Sequence, residues 1–216
     1  MGGLFVLGPA IMAKKTKKAK KQFKKTTKKI TKKLTKTPSK KMAQKSTAKA
    51  SSPKGVEAVL GPSLGSLIPD FALPATGGQP LRLSDFRGLW VVLYFYPKDA
   101  TPGCTLEGQD FTRLHSQFKR LNAEVLGVSR DSLRSHEKFK EKQNYSIELL
   151  ADEDERLCEI FSVIKMKNMY GRKVRGIERS TFLIDPKGRL AYEWRGVKVP
   201  GHAEEVLAHL KSLSKA

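Results

Sequence analysis

Pro97, Thr101 and Cys104 fall in one short stretch, Pro97-Lys98-Asp99-Ala100-Thr101-Pro102-Gly103-Cys104, with the spacing P-x-x-x-T-x-x-C. Cys104 stands where an apolar run ends and a helical pattern begins. The first N–H groups of a helix lack intrahelical acceptors, and the helix dipole is positive there. Both favour a sulfur in the first turn as the thiolate, which is the nucleophilic form. Pro102 suits the first helical position, where its missing N–H is not needed. Gly103 lets a substrate approach the backbone closely. A buried, inert cysteine is the competing reading of Cys104, and its placement argues against that. A dithiol redox pair is excluded: Thr101 stands where C-x-x-C requires its first cysteine, so no disulfide closes within the motif.

The elements around this loop can be read from periodicity. Leu89–Tyr96 (LWVVLYFY) is a buried strand, rich in β-branched and aromatic residues, that leads into the loop. A helix is expected over about 103–121; its apolar residues include Leu106, and Phe111, Leu114 and Phe118 form its core-facing stripe. Val125, Leu126 and Val128 mark the next strand. A mostly polar helix over about 132–143 follows, anchored by Leu133 and Phe139. Ile147–Leu150 reads as a strand and Glu155–Phe161 as a helix with Leu157, Ile160 and Phe161 inward. Thr181–Ile184 and Leu190–Trp194 form a hairpin about the turn Asp185-Pro186-Lys187-Gly188. A last helix, about 202–213, carries Val206, Leu207, Leu210 and Leu213 on one face. Upstream, Asp70–Pro74 is a candidate short strand, Leu81 and Leu83 alternate around Arg82, and Ser84-Asp85-Phe86 can cap a single turn before Gly88. Strands alternating with helices, then a hairpin and a closing helix, predict an α/β domain with a mixed sheet flanked by helices.

The P-x-x-x-T-x-x-C spacing resembles the peroxidatic signature of the peroxiredoxins. The wider run YFYPKDATPGCTLEGQDF is similar to their Q branch, also called bacterioferritin comigratory protein, and so are LGVSRDS (126–132), NMYGRKVRGIERSTFLID (168–185) and GHAEEVLAHL (201–210). The resemblance covers about residues 62–213. It implies a thioredoxin-like fold and a thiol-dependent peroxidase that needs no cofactor or metal. Cys104 would attack the terminal oxygen of a hydroperoxide and become a sulfenic acid. The Thr101 hydroxyl and the backbone N–H groups of Gly103 and Cys104 would hold the two oxygens, and Pro97 would shield the sulfur. The family's arginine maps to Arg179 in GIERSTFLID, a cation of fixed charge and forked donors. Glu107 is a candidate supporting residue; its alternative role is an acid that favours a helix N-terminus. The resolving cysteine of many relatives is replaced: Gln109 stands five residues after the nucleophile, and Lys140 stands in the following helix. Only Cys158 remains. Its neighbours Leu157 and Ile160 look inward, so a buried structural cysteine is favoured over a resolving one. The expected cycle therefore uses one cysteine and an external reductant: thioredoxin, glutaredoxin or a small thiol. Relatives of this branch suggest a monomer.

The charge is unevenly distributed. The chain has 216 residues and a formal charge of +21. Of its 42 lysines and arginines, 18 are lysines within residues 1–55, leaving 24 against 21 acidic residues beyond. Residues 1–55 hold no arginine and no acid, and lysine doublets recur from 14–15 to 32–33. This lysine-rich tail cannot offset the entropy of ordering and is expected to be disordered in isolation. Residues 56–216 are long enough for one domain with a real core.

Residues 13–54 suit sequence-independent polyanion binding, duplex DNA foremost, by counterion release. Arginine and interleaved aromatics are missing, which argues against base readout or single-strand stacking. Phe23, Ile30 and Leu34 make only a thin stripe for an anionic membrane surface, and a purely solubilising tail is the third possibility. The apolar start, residues 1–12, is shorter than a membrane span and has its charge on the wrong side for a secretory signal. Met12 is an alternative start. Val6 stands where a myristoylation motif wants Ser or Thr. Two cysteines make no disulfide framework, and the four scattered histidines make no metal motif. The expectation is a cytoplasmic peroxidase, held at the nucleoid if the tail binds DNA. The alternative is a DNA-binding, nucleoid-associated protein in which the peroxidase domain is secondary.

Overall fold

The structure, a computed structural model, describes residues 61–169 and 172–214; the lysine-rich tail lies outside them. Its centre is β3 (Trp90–Phe95), which reaches the core from both faces. Val92, Tyr94 and Tyr96 face one hydrophobic cluster, and Val91, Leu93 and Phe95 face another. This two-sided burial explains the unbroken apolar run, since a strand's successive side chains point to opposite faces.

Around β3 the chain lays down β4 (Ala123–Ser129), β5 (Glu148–Ala151), β8 (Ser180–Ile184) and β9 (Leu190–Arg195) in the order β5-β4-β3-β8-β9. The pairs β3–β4 and β4–β5 are parallel, while β3–β8 and β8–β9 are antiparallel. The mixed sheet is therefore parallel on one side and a hairpin on the other. Helix α1 (Pro102–Arg120) and helix α4 (His202–Leu213) cover one face through Phe111, Leu114, Phe118, Val206, Leu207 and Leu210. Helix α2 (Leu133–Gln143) adds Phe139 to the same cluster. Helix α3 (Arg156–Ile160) packs the other face with Leu157 and Cys158. The short strands β1 (Ala72–Leu73) and β2 (Leu81–Arg82) pair antiparallel and lead into a single 3-10 turn, Leu83–Phe86. This is the thioredoxin-like arrangement that the sequence predicts.

Three features differ from the sequence reading. A second hairpin, β6 (Ile164–Met169) with β7 (Arg172–Ile177), occupies a stretch that periodicity leaves without an element. Leu106 is exposed, and Glu107 and Gly108 are buried in its place. His136, not Leu133, is the fully buried partner of Phe139 on α2. The first turn before Gly88 is closed by the Asp85 carboxylate accepting the Arg82 N–H at 2.9 Å.

Candidate active site

Strand β3 ends at Phe95, and α1 begins seven residues later, so the sheet delivers the connecting loop to the start of a helix. Thr101 is the N-cap residue, with extended backbone, and Pro102 occupies the first helical position. The first backbone bond of the helix runs from the Thr105 N–H to the Thr101 carbonyl at 2.9 Å. Cys104 is therefore in the first turn, among N–H groups that the helix itself cannot satisfy. The residue is only 3% exposed. The Thr101 hydroxyl does not cap the helix; it donates back to the Lys98 carbonyl at 3.2 Å. Pro97 is half-buried beside this turn.

Arg179 comes from the two-residue link between β7 and β8. Because β8 pairs with β3, the link is carried across the sheet to the start of α1. Arg179 Nη2 donates to Cys104 Sγ at 3.3 Å, and its Nη1 forms an ion pair with Glu107 Oε2. The fork thus spans the sulfur and a carboxyl group one helical turn apart. An Nη2–Sγ contact places a permanent cation on the sulfur, adding to the helix N-terminus on the same atom. Gly103 lies against this group: a Cβ there would sit 3.4 Å from Arg179 Nη2 and 3.9 Å from Val199 Cγ2.

Glu107 is deeply buried, its side chain 2% exposed, and Oε1 has no hydrogen-bond partner. Burial pushes its carboxyl up to about 7, and nearby Asp110 adds to this; the Arg179 ion pair opposes them. Burial would lower the Arg179 guanidinium, but Glu107 and Cys104 together raise it, so its charge is secure. Two phenols lie near this group. Tyr94 and Tyr145 are both raised well above the ordinary phenol range, first by burial and then by nearby acidic groups, Glu107, Cys104 and Asp99 among them. The Tyr145 hydroxyl donates to the Thr105 carbonyl at 3.0 Å, and its ring fills the space beside Gly108, where a Cβ would meet it at 2.5 Å.

Cys158 is elsewhere. It is fully buried in α3, and its N–H donates to Asp152 Oδ2 at 2.8 Å. Burial, followed by the Asp152 carboxylate that its thiol faces, holds the thiol far above the ordinary range. Its apolar neighbours are those of Val91, Leu93 and Phe95, whereas Cys104 clusters with Val92, Tyr94 and Tyr96. The sheet separates the two sulfurs.

Pro97, Thr101, Gly103, Cys104, Glu107 and Arg179 are thus brought to one place, and Cys158 is not. Sequence reasoning left Glu107 undecided, although a signal was present. Positions 104, 107, 111, 114 and 118 step by three and four, so a carboxylate at 107 falls on the helix's buried stripe. It missed Asp99 and His136, which meet inside the fold from positions 37 apart. Cavities of about 280 and 270 Å³ lie away from Cys104, one against β1, the connection from β1 to β2 and Leu133, and one beside Phe86 and His115. Among the described residues no group of three or more His, Cys, Asp or Glu side chains could hold a metal ion.

A thioredoxin-like sheet that presents a cysteine at a helix start, under an arginine, defines a class of thiol enzymes. Residues 64–193 match the model of the AhpC/TSA family. Peroxiredoxin Bcp of Xanthomonas campestris is 53% identical over 146 residues, 68% of this chain and 91% of that protein. Peroxiredoxin Bcp of Bacillus subtilis is 50% identical over 152 residues, 70% and 97% of the two chains. A solved structure of the Xanthomonas campestris bacterioferritin comigratory protein, from work on its alkyl peroxide reduction activity, superposes with a TM-score of 0.64. It is 52% identical and covers 67% of this chain and 92% of its own. The chain belongs to the AhpC/TSA family, in its Bcp or peroxiredoxin Q branch, and is a thiol-dependent peroxidase. Its substrate is accordingly a peroxide and its reductant a thiol. Among the described residues no helix is long and apolar enough to cross a membrane.

Proposed function

We propose that Cys104 reduces hydrogen peroxide and organic hydroperoxides in a one-cysteine cycle. The thiolate attacks the terminal oxygen, an S–O bond forms as the O–O bond breaks, and the leaving oxygen takes a proton and departs as water or an alcohol. The observation that carries this reading is the 3.3 Å contact between Arg179 Nη2 and Cys104 Sγ at the start of α1. The same guanidinium is in reach of a peroxide oxygen in line with the sulfur. With the Gly103 and Cys104 N–H groups it supplies fixed donors for the oxygens, and the Thr101 hydroxyl joins them by turning from the Lys98 carbonyl. Pro97 limits water at the sulfur. Glu107 holds the guanidinium through Nη1, leaving Nη2 for the sulfur and substrate. The alkyl peroxide activity of the Xanthomonas relative supports including organic hydroperoxides.

The sulfenic acid is reduced by an external thiol: thioredoxin, glutaredoxin or a small thiol. The sheet between Cys104 and Cys158 supports this, because a disulfide needs Cα atoms within about 7 Å. Cys158 serves packing. Mass spectrometry after a peroxide pulse tests the scheme. Sulfenic acid on Cys104, or a mixed disulfide with added thiol, is expected; a quantitative Cys104–Cys158 disulfide overturns it.

The composition of residues 1–55 favours a second role. We propose that this tail, bounded from the peroxidase domain at about residue 56, tethers a monomeric cytoplasmic enzyme to duplex DNA or a similar polyanion, as at the nucleoid. The alternative is a nucleoid-associated protein with secondary peroxidase activity; the intact set Pro97, Thr101, Cys104 and Arg179 favours the enzyme reading, because a pure scaffold has no need of it. Removing residues 1–55 abolishes DNA retention at moderate salt and leaves peroxide turnover intact, while Cys104→Ser does the reverse. Equal DNA binding by the truncated protein overturns the tail's role.

A further inference from the structure

The loop that carries Thr101 is fastened by a buried polar cluster that the reaction scheme does not use. Asp99 is buried, and its N–H and both carboxylate oxygens are engaged. Its N–H donates to Asp131 Oδ2 at 2.9 Å, and Ser129 Oγ donates to the same oxygen at 2.8 Å. Its carboxylate accepts from the Tyr96 hydroxyl at 2.8 Å and from Ser135 Oγ at 2.7 Å. Fully buried His136 completes the cluster, with Nδ1 at 2.9 Å from Asp99 Oδ2 and Nε2 at 3.1 Å from the Leu150 carbonyl. A carbonyl only accepts, so Nε2 carries the hydrogen that bonds Leu150, and Nδ1 lies against the Asp99 carboxylate. Burial alone would raise the Asp99 carboxyl, but His136, Ser135 and Tyr96 outweigh it and hold the group below its ordinary value.

The cluster draws on the ends of β3 and β4, on α2 and on β5, and all of it converges on the second residue after Pro97. The next residue, Ala100, is held at φ 56° in the left-handed region, where a side chain is disfavoured. Thr101 follows it. A left-handed alanine persists only where its surroundings dictate it, and the residue fastened beside it is Asp99.

We propose that the Asp99–His136 pair is the positioning device of the peroxide site: it sets the backbone that aims Thr101 and the first turn of α1, so that breaking it slows the attack on peroxide by acting through Thr101. This rests on the peroxidase reading. Misplacement of a reacting group by about an ångström costs roughly a hundredfold in rate.

The test follows single-turnover oxidation of Cys104 by hydrogen peroxide in the full-length protein. Asp99→Asn and His136→Gln are each expected to slow it by about a hundredfold. Tyr96→Phe and Ser135→Ala, which leave the Asp99–His136 contact in place and each remove one hydroxyl, are expected to slow it several-fold. In a Thr101→Val background, Asp99→Asn is expected to add less than about threefold, since the group it aims is gone. General loosening of the fold would instead multiply the two losses. Wild-type rates in Asp99→Asn overturn the proposal, as do fully multiplicative losses in the double variant. If Asp99→Asn and His136→Gln fail to fold, wild-type rates in both Tyr96→Phe and Ser135→Ala overturn it. If wild-type Cys104 is itself not oxidised by peroxide, the peroxidase reading is what fails.

Discussion

The two cysteines lie on opposite faces of one sheet, and their surroundings differ in kind. Cys104 has a cation at 3.3 Å, the positive end of a nineteen-residue helix, and a glycine beside it. Cys158 has a carboxylate facing its thiol, a five-residue helix, and apolar contacts all round. Both are buried, so burial alone does not separate a reactive thiol from an inert one. What separates them is the sign of the nearest charge: an arginine favours the anion that attacks, and an aspartate suppresses it.

The widest gap should appear on deleting each sulfur. Cys104→Ser is expected to reduce peroxide consumption to background, and Cys158→Ala to leave turnover within about twofold while lowering stability by roughly 1 kcal/mol for a small cavity. Peroxide assays paired with thermal melts measure both. Loss of turnover in Cys158→Ala would erase the contrast.

The next effect tests the cation. Arg179→Lys keeps the charge but loses the fork that joins Glu107 to the sulfur. A loss of roughly 10²- to 10³-fold in the rate of Cys104 oxidation is expected, as for removal of one fixed donor at a reacting oxygen. Near wild-type rates would mean that charge alone suffices.

Glu107 sharpens the comparison through pH. Its carboxyl is raised from 4.5 to about 7 in the folded protein, so the folded state binds its proton more tightly than the unfolded state does. The associated stability is complete below about pH 4.5 and is lost as pH rises through 7, on the order of 3 kcal/mol at ~1.4 kcal/mol per pH unit. Glu107→Gln should flatten this decline in denaturant titrations between pH 5 and 8. An unchanged slope would assign the decline to other groups. The smallest effect is expected from Gly103→Ala. Its Cβ would reach ordinary contact with Arg179 and Val199, so a loss of roughly threefold in peroxide rate without a change in melting temperature is expected, in line with a small displacement of one donor.

Much of the fold was legible because its core elements carry local signals. The two-sided run at Trp90–Phe95 and the three-four stripe of α1 need no partner to be recognised. The β6–β7 hairpin was not legible. Its strands, IKMKNM and RKVRGI, are rich in lysine and arginine. Arg175 is held by Glu155 and Glu159, and Ile177 is buried among residues from distant elements. His136 was hidden for the same reason: on a polar helix it looks like one more surface residue until Asp99 arrives from the loop after β3 and Leu150 from β5.

The sequence by itself singled out the candidate nucleophile, because a cysteine in the first turn of a helix and a threonine three residues before it are features of local spacing. It also set the contrast between a lysine tail and a near-neutral domain. Only the tertiary structure decided that Arg179 and Glu107 share a fork over that sulfur, that Cys158 is walled off by the sheet, and that Asp99 and His136 fasten the loop. Each of those depends on strand pairing and burial, which bring together residues 37 to 75 positions apart and which no local pattern encodes.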